Sequence, residues 1–178
     1  MRIISGKFKG RRFNPPLKKC ITRPTMDIAK EGLFNILANE YFFDDIKVLD
    51  LFGGTGSISL EFISRGCTDV SYIDSSHICI KFINEVKQQL EIQDSFNIIK
   101  SDVLRYIKST TDNYDIIFAD PPYDYKFTPN IPDIILTGNL LSPNGLLILE
   151  HDKRHDFSDN ERCVKSKKYG TNIFSFFK

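Results

Sequence analysis

Four short apolar runs, each with an acid at or near its end, set the frame of the chain: IKVLDLF at 46–52, DVSYID at 69–74, FNIIK at 96–100 with Ser101-Asp102 behind it, and YDIIFA at 114–119 with Asp120 behind it. Runs this apolar and this short predict strands covered on both faces, as in a parallel sheet. Between them the period changes to that of helices. Ile80, Ile83 and Val86 form an inward stripe over 76–90, with Glu85, Lys87 and Gln88 outward. Further helices are expected over 57–64, from 103 to about 108, and as a crossover from Pro129 to Gly138. Upstream, Ala29, Leu33, Ile36 and Leu37 recur at helical spacing behind Pro24-Thr25, where Thr25 can cap the helix and Asp27 suits its first turn. GLLILE at 145–150 and NIFSFF at 172–177 read as two later strands, and with no long helix between them they are expected to pair antiparallel at a sheet edge. The alternation predicts an α/β fold with a mostly parallel sheet flanked by helices.

The chemistry gathers at strand ends, where open α/β sheets bind ligands. Asp120-Pro121-Pro122-Tyr123 is the sharpest case. Two prolines donate no ladder hydrogen bonds and hold the chain extended, so the strand stops and the Asp120 carboxylate projects past the sheet. A carboxylate, a proline carbonyl and a nearby ring suit a planar group bearing an NH2, whose two N–H bonds meet two acceptors while its face meets the ring. After the first strand, Phe52-Gly53-Gly54-Thr55-Gly56 forms a turn that can bring backbone close to a ligand at a helix N-terminus. Ser59 stands where a G-x-G-x-x-G motif would have its third glycine, so the turn alone fits several nucleotide cofactors. Asp74, 24 residues beyond Asp50, can accept both hydroxyls of a ribose or cap the next helix. Asp102 can accept from an adenine amine or serve as a cap.

Length and composition narrow the classes. The 178 residues suit one globular unit, and 41% apolar with 26% charged residues is an ordinary globular balance. No apolar run approaches a membrane span and no signal peptide or lipidation motif is visible, so a cytoplasmic enzyme without membrane attachment is expected. Cys20, Cys67, Cys79 and Cys163 are scattered, as expected of reduced structural thiols. His151 and His155, four apart, could face each other on a helix, but no third ligand accompanies them and no metal is expected. Net charge is only +1, yet residues 1–30 carry nine basic side chains against Asp27 alone, leaving this segment at +8 and the remainder at −7. Arg2, Lys7, Lys9, Arg11, Arg12 and Arg23, interleaved with Phe8 and Phe13 around Gly6 and Gly10, predict a basic arm or hairpin over 1–23 that binds nucleic-acid phosphates, ahead of one globular unit over 24–178.

With these stretches assembled, the chain resembles the class I S-adenosylmethionine-dependent methyltransferases, and among them the bacterial RsmD-type enzymes that methylate the N2 amine of a guanine in small-subunit (16S) ribosomal RNA. The resemblance runs through RIISGKFKGRR at 2–12, RPTMDIAKEGLFNIL at 23–37, DLFGGTGSISLEFISRG at 50–66, DPPY at 120–123 and YGTNIFSFF at 169–177, departing at Ser5 and Ser59 where glycine or another small residue is usual. It implies a Rossmann-like seven-stranded sheet. It also implies that Asp50 with the backbone of Gly53, Gly54 and Gly56 holds the methionine part of the cofactor, within a site that includes Phe52 and Thr55. Asp74 with Ser75 would hold the ribose, Asp102 with Val103 the adenine, and Asp120, Pro121, Pro122 and Tyr123 the target guanine. The implied partner is 16S rRNA, within an assembled or partly assembled small subunit, met by a monomeric enzyme. A DNA adenine-N6 methyltransferase would use the same DPPY chemistry but usually carries a target-reading region for which this chain has no room. A Rossmann dehydrogenase would want the third glycine, and a non-catalytic RNA-binding assembly factor would need only the arm.

Overall fold

The computed structural model describes residues 1–16 and 27–178. Arg23, the Thr25 cap and Cys20 lie outside the described residues. Seven strands form one sheet in the order β3-β2-β1-β4-β5-β7-β6: β1 (Lys47–Leu51), β2 (Asp69–Asp74), β3 (Phe96–Lys100), β4 (Tyr114–Ala119), β5 (Leu141–His151), β6 (Cys163–Tyr169) and β7 (Asn172–Phe177). Strands β1 to β5 pair in parallel, and β7 runs antiparallel to both β5 and β6. Five helices flank the sheet: α1 (Asp27–Leu37), α2 (Ser57–Ser64), α3 (His77–Leu90), α4 (Val103–Ser109) and α5 (Ile131–Leu136). Alternate residues of each strand enter opposite cores, Val48, Ile116 and Ile148 with α1, α2 and α3, and Leu49, Ile117 and Leu147 with α4 and α5. Both faces are thus covered, which is why the parallel strands read as unbroken apolar runs.

Several elements differ from the sequence reading. The first strand ends at Leu51 because Phe52 turns to φ +62°, a left-handed conformation rare for a residue with a side chain. The expected crossover helix is two pieces, a 3-10 turn at Thr128–Asn130 and then α5, because Pro129 and Pro132 deny amide donors inside a continuous helix. β5 begins four residues early and carries a register shift in its pairing with β4. His151 is the last residue of β5, so it and His155 do not share a helix. The seventh strand, β6, occupies a stretch with no predicted element, CVKSKKY.

The hairpin of residues 1–13 is part of the packed structure. Arg2 bridges Arg12, Ile3 and Phe13 are buried, and all eight residues of α2 are buried, its polar Ser57, Glu61 and Ser64 included. A helix buried all round usually has apolar residues on every side. Here hydrogen bonds from the hairpin and from α1 take the place of water on its polar side.

Candidate active site

The strand order reverses direction between β1 and β4, the switch point at which open α/β sheets form a ligand crevice. Leu51 pairs with Ala119 there, so the glycine turn after β1 and the DPPY stretch after β4 leave the sheet side by side. The turn is held from within: Gly53 N donates to Ile73 O at 2.9 Å, Gly54 N to Asp74 Oδ2 at 2.8 Å, Gly56 N to Gly53 O at 2.7 Å, and Tyr72 Oη to Gly54 O at 2.7 Å. A Cβ on Gly53 would lie 2.2 Å from the Tyr72 ring, so only glycine admits this approach. With those three amides engaged internally, what the turn and its surroundings offer a ligand is chiefly acceptors. Asp50, 2% exposed beneath the turn, accepts from Ser59 N at 3.1 Å and Ser59 Oγ at 2.5 Å. Ser59 therefore does more than fill the place of a small residue. Burial raises the Asp50 carboxyl to about 7 against these hydrogen bonds, with Asp74 adding a smaller push.

Asp120 is partly accessible, hydrogen-bonded through its amide to Leu51 O at 3.4 Å. Its carboxyl is pushed well above the ordinary carboxylate range, first by desolvation and then by Glu150 and Asp50. Glu150, next to last in the neighbouring strand β5, is buried and accepts from Asn172 Nδ2. The sequence reading passed over it. Pro121 is buried, Pro122 exposed, and Tyr123 stands out with 42% of its surface accessible. The Arg154 guanidinium lies 5.2 Å from the Tyr123 ring centre and is fixed by Asp152 at 2.7 Å, so one face of the ring is braced by a cation. Nothing in sequence spacing links Arg154 to Tyr123. His151 is engaged through both ring nitrogens, Nδ1 with Asp152 O at 2.9 Å and Nε2 with Ser175 Oγ at 2.8 Å, and burial lowers its pKa.

Beyond β2 and β3 the two remaining acids lie along the same edge. Asp74 takes Gly54 N on one oxygen and Ser76 N on the other at 2.7 Å, which leaves lone pairs on each. Ser75 is exposed beside it. Asp102 caps α4 through Arg105 N at 3.0 Å, with Val103 buried behind it, so capping is one of its roles whatever else it binds. Among the described residues one buried side-chain polar atom has no partner, the phenol oxygen of Tyr125. The Tyr125 ring packs edge-on to Phe52 at 5.0 Å and to Phe127 at 5.8 Å, and its pKa is raised by burial and then by Asp102. Tyr125 was also missed; an aromatic two residues beyond DPPY was the available signal.

S-Adenosylmethionine fits this donor and acceptor set. It carries an ammonium and a sulfonium, and the crevice holds two carboxyl groups, Asp50 and Asp120, that burial raises above the ordinary range and that a bound cation would favour in the ionised form. The Tyr125 phenol is an unspent hydrogen-bonding group beside Asp102.

The hairpin sits against α2. Glu61 accepts from Ile4 N at 2.9 Å and Ser5 N at 3.0 Å, and pairs with Lys30 Nζ at 3.3 Å and Arg65 Nε at 3.0 Å, with Glu61 and Lys30 both at or below 1% exposure. Lys30 Nζ also donates to Arg2 O at 2.7 Å and Ser57 Oγ at 3.1 Å. Of the cations proposed for RNA, Arg2 pairs with Asp27 at 2.9 Å, whereas Lys7, Lys9, Arg11 and Arg12 are exposed and have no carboxylate partner among the described residues.

Comparison with known proteins brings these features together. The family model described as "Conserved hypothetical protein 95" matches residues 1–178. A Buchnera aphidicola (subsp. Baizongia pistaciae) protein named ribosomal RNA small subunit methyltransferase D is 30% identical over 152 residues, covering 85% of this chain and 76% of that one. A Haemophilus influenzae protein of the same name is 28% identical over 179 residues, covering 99% and 91%. The solved structure of a hypothetical protein from Thermus thermophilus superposes with a TM-score of 0.86 at 21% identity, covering 100% of this chain and 99% of that one.

Proposed function

Because this chain belongs to the family described as "Conserved hypothetical protein 95", with relatives named ribosomal RNA small subunit methyltransferase D, we propose that it transfers a methyl group from S-adenosylmethionine to the exocyclic N2 amine of a guanine in small-subunit rRNA. The observation that carries the reading is the meeting of two features at one switch point: a crevice of carboxylates suited to a donor that bears an ammonium and a sulfonium, and Asp120-Pro121 acceptors beside an exposed, braced ring.

Bound S-adenosylmethionine supplies an electrophilic methyl group on a sulfonium. The residues of this chain supply position. Asp50, held by Ser59, would accept from the ammonium; Asp74 would take ribose hydroxyls on its remaining lone pairs; Tyr125 and the Asp102-Val103 edge would meet the adenine. An aryl amine is a poor nucleophile because its lone pair is delocalised into the ring. Accepting its two N–H bonds at the Asp120 carboxylate and the Pro121 carbonyl directs that lone pair outward, and Tyr123 stacks on a base drawn from its neighbours' stack. A carboxylate whose pKa is raised by burial and Glu150 is also a stronger proton acceptor as the amine gains positive charge.

The hairpin cations support RNA as the substrate, and their small reading surface supports an assembled or partly assembled subunit, whose folded context supplies the selectivity that phosphate contacts lack. The test is transfer of labelled methyl to small subunits lacking the modification, with naked 16S rRNA, large-subunit RNA and duplex DNA alongside. Label in guanine N2 of the small subunit is expected. Label confined to DNA adenine, or RNA binding with no label anywhere, would overturn the assignment.

A further inference from the structure

The two edges of the sheet are linked by α2 and α3, which start at the carboxyl ends of the strands beside the crevice and finish at the opposite edge. Eight residues of α2 cover about 12 Å at 1.5 Å each. The hairpin runs along α2 and its tip is clamped at the far end: Lys7 N donates to Ser64 O at 2.6 Å, Phe8 N to Ser64 Oγ at 3.0 Å, and Ser64 Oγ to Ser5 O at 2.5 Å. Gly6, at φ +79°, lies so close that a Cβ there would sit 1.8 Å from the Ser64 carbonyl oxygen. The tip is therefore fixed on the body of the protein. Between it and the C-terminal end of α3 is an open groove of about 380 Å³ lined by Lys7, Phe8, Arg11, Gln89, Leu90 and Glu91.

The two walls differ in chemistry. On the hairpin side are two exposed cations without a carboxylate partner among the described residues, with Lys7 Nζ 5.2 Å from the centre of the Phe8 ring. On the α3 side are an amide and a carboxylate, which accept hydrogen bonds from hydroxyls. Phosphate on one wall and a ribose hydroxyl on the other is the pattern of a nucleotide backbone, and the 2′-hydroxyl is the group that marks it as RNA. We propose that this groove is a second RNA contact, seating a backbone segment away from the target nucleotide, phosphate on Lys7 and Arg11 and 2′-hydroxyl on Gln89 or Glu91, so that the substrate is gripped at both edges of the sheet. The proposal rests on the RNA reading above. Because the tip is clamped, the groove holds this segment at a set distance from the crevice, which a mobile basic tail could not do.

Methyl transfer to unmodified small subunits is measured for the wild type, a Lys7→Ala/Arg11→Ala double variant, and Gly6→Ala, which keeps every charge but unseats the tip; cofactor affinity by calorimetry and melting temperature serve as folding controls. The double variant, altered only at exposed side chains, is expected to raise KM at least ~10-fold and to flatten the salt dependence of RNA binding by about one to two counterions. Gly6→Ala is expected to raise KM to a similar extent. Hydroxyl-radical footprints of the wild type should show two separated protected segments, one lost in the double variant. A wild-type KM in the double variant, or a KM in Gly6→Ala unchanged despite the steric clash, overturns the groove. A wild-type enzyme that methylates no RNA overturns the functional reading instead.

Discussion

Asp50 sets a conflict between stability and cofactor binding that can be measured with Asp50→Asn. In the cofactor-free protein its carboxyl titrates near 7, against an ordinary value of 3.8, because burial outweighs the two hydrogen bonds from Ser59. A raised folded-state pKa means that the folded protein binds more protons than the unfolded chain between these values. The stability contribution is thus fully present below about 4 and lost as pH rises through about 7. A difference of about three pKa units at 1.36 kcal/mol each is roughly 4 kcal/mol. Asparagine imitates the protonated acid, and its amide oxygen can take both Ser59 donors. Cofactor-free Asp50→Asn is therefore expected to be more stable than the wild type at pH 8 by about 2 to 4 kcal/mol, raising Tm by roughly 5–15 °C for a domain of this size. The gap should be less than half as large at pH 5 and should close below about pH 4. Urea unfolding at pH 5 and pH 8 reads this directly. The same variant should bind S-adenosylmethionine ~10- to 150-fold more weakly, the scale of a lost charged hydrogen bond of ~1.5 to 3 kcal/mol. An Asp50→Asn protein no more stable than the wild type at pH 8 would refute the reasoning, whatever its cofactor affinity.

The other predictions concern single contacts. Asp120→Ala should leave cofactor binding by calorimetry nearly intact while lowering turnover by at least ~100-fold, the scale of one preorganised catalytic contact; unchanged turnover removes Asp120 from the chemistry. Tyr123→Phe should be mild and Tyr123→Ala should cost ~1 to 3 kcal/mol in transition-state binding, read as kcat/KM; equal losses would mean that the hydroxyl, and not the ring, matters. Tyr125→Phe removes a phenol without a partner, so the free protein should lose no stability in a thermal melt, while cofactor affinity falls up to ~10-fold for one neutral hydrogen bond; an unchanged Kd sinks its role. Glu61→Ala strands the buried Lys30 ammonium and the amides of Ile4 and Ser5, which should cost ~3 to 5 kcal/mol of stability. Burial already lowers the Lys30 pKa and Glu61 opposes this, so the folded variant sheds the proton more readily than the unfolded chain and its deficit should shrink from pH 7 to pH 10; a loss below ~1 kcal/mol contradicts the pairing.

The sequence carried the parallel strands and the strand-end acids because both follow from local rules. A strand covered on both faces must be apolar at every position, and an acid at its carboxyl end stands out against it. β6 escaped because it is an edge strand: Lys165, Lys167 and Lys168 keep other chains from pairing with it and erase the apolar signature. Glu150 escaped because its significance depends on strand order, which places β5 beside β4 and so its carboxylate beside Asp120. Tyr125 lies in the loop after β4 and Arg154 in the loop after β5, and no periodicity describes either path.

Helix α2 was visible as an element but not as a connector. SISLEFIS reads as a short helix, and only the docked hairpin reveals that the Glu61 carboxylate within it is buried with Lys30. The same eight residues hold Asp50 through Ser59 and, two and five residues further on, the hairpin through Glu61 and Ser64. The carboxylate proposed to hold the cofactor and the hairpin proposed to grip RNA are thus indexed to one rigid element. A shift of α2 along its axis displaces both together, so the distance between the proposed methyl donor and the proposed RNA grip is set by the length of a helix and not by the reach of a flexible arm.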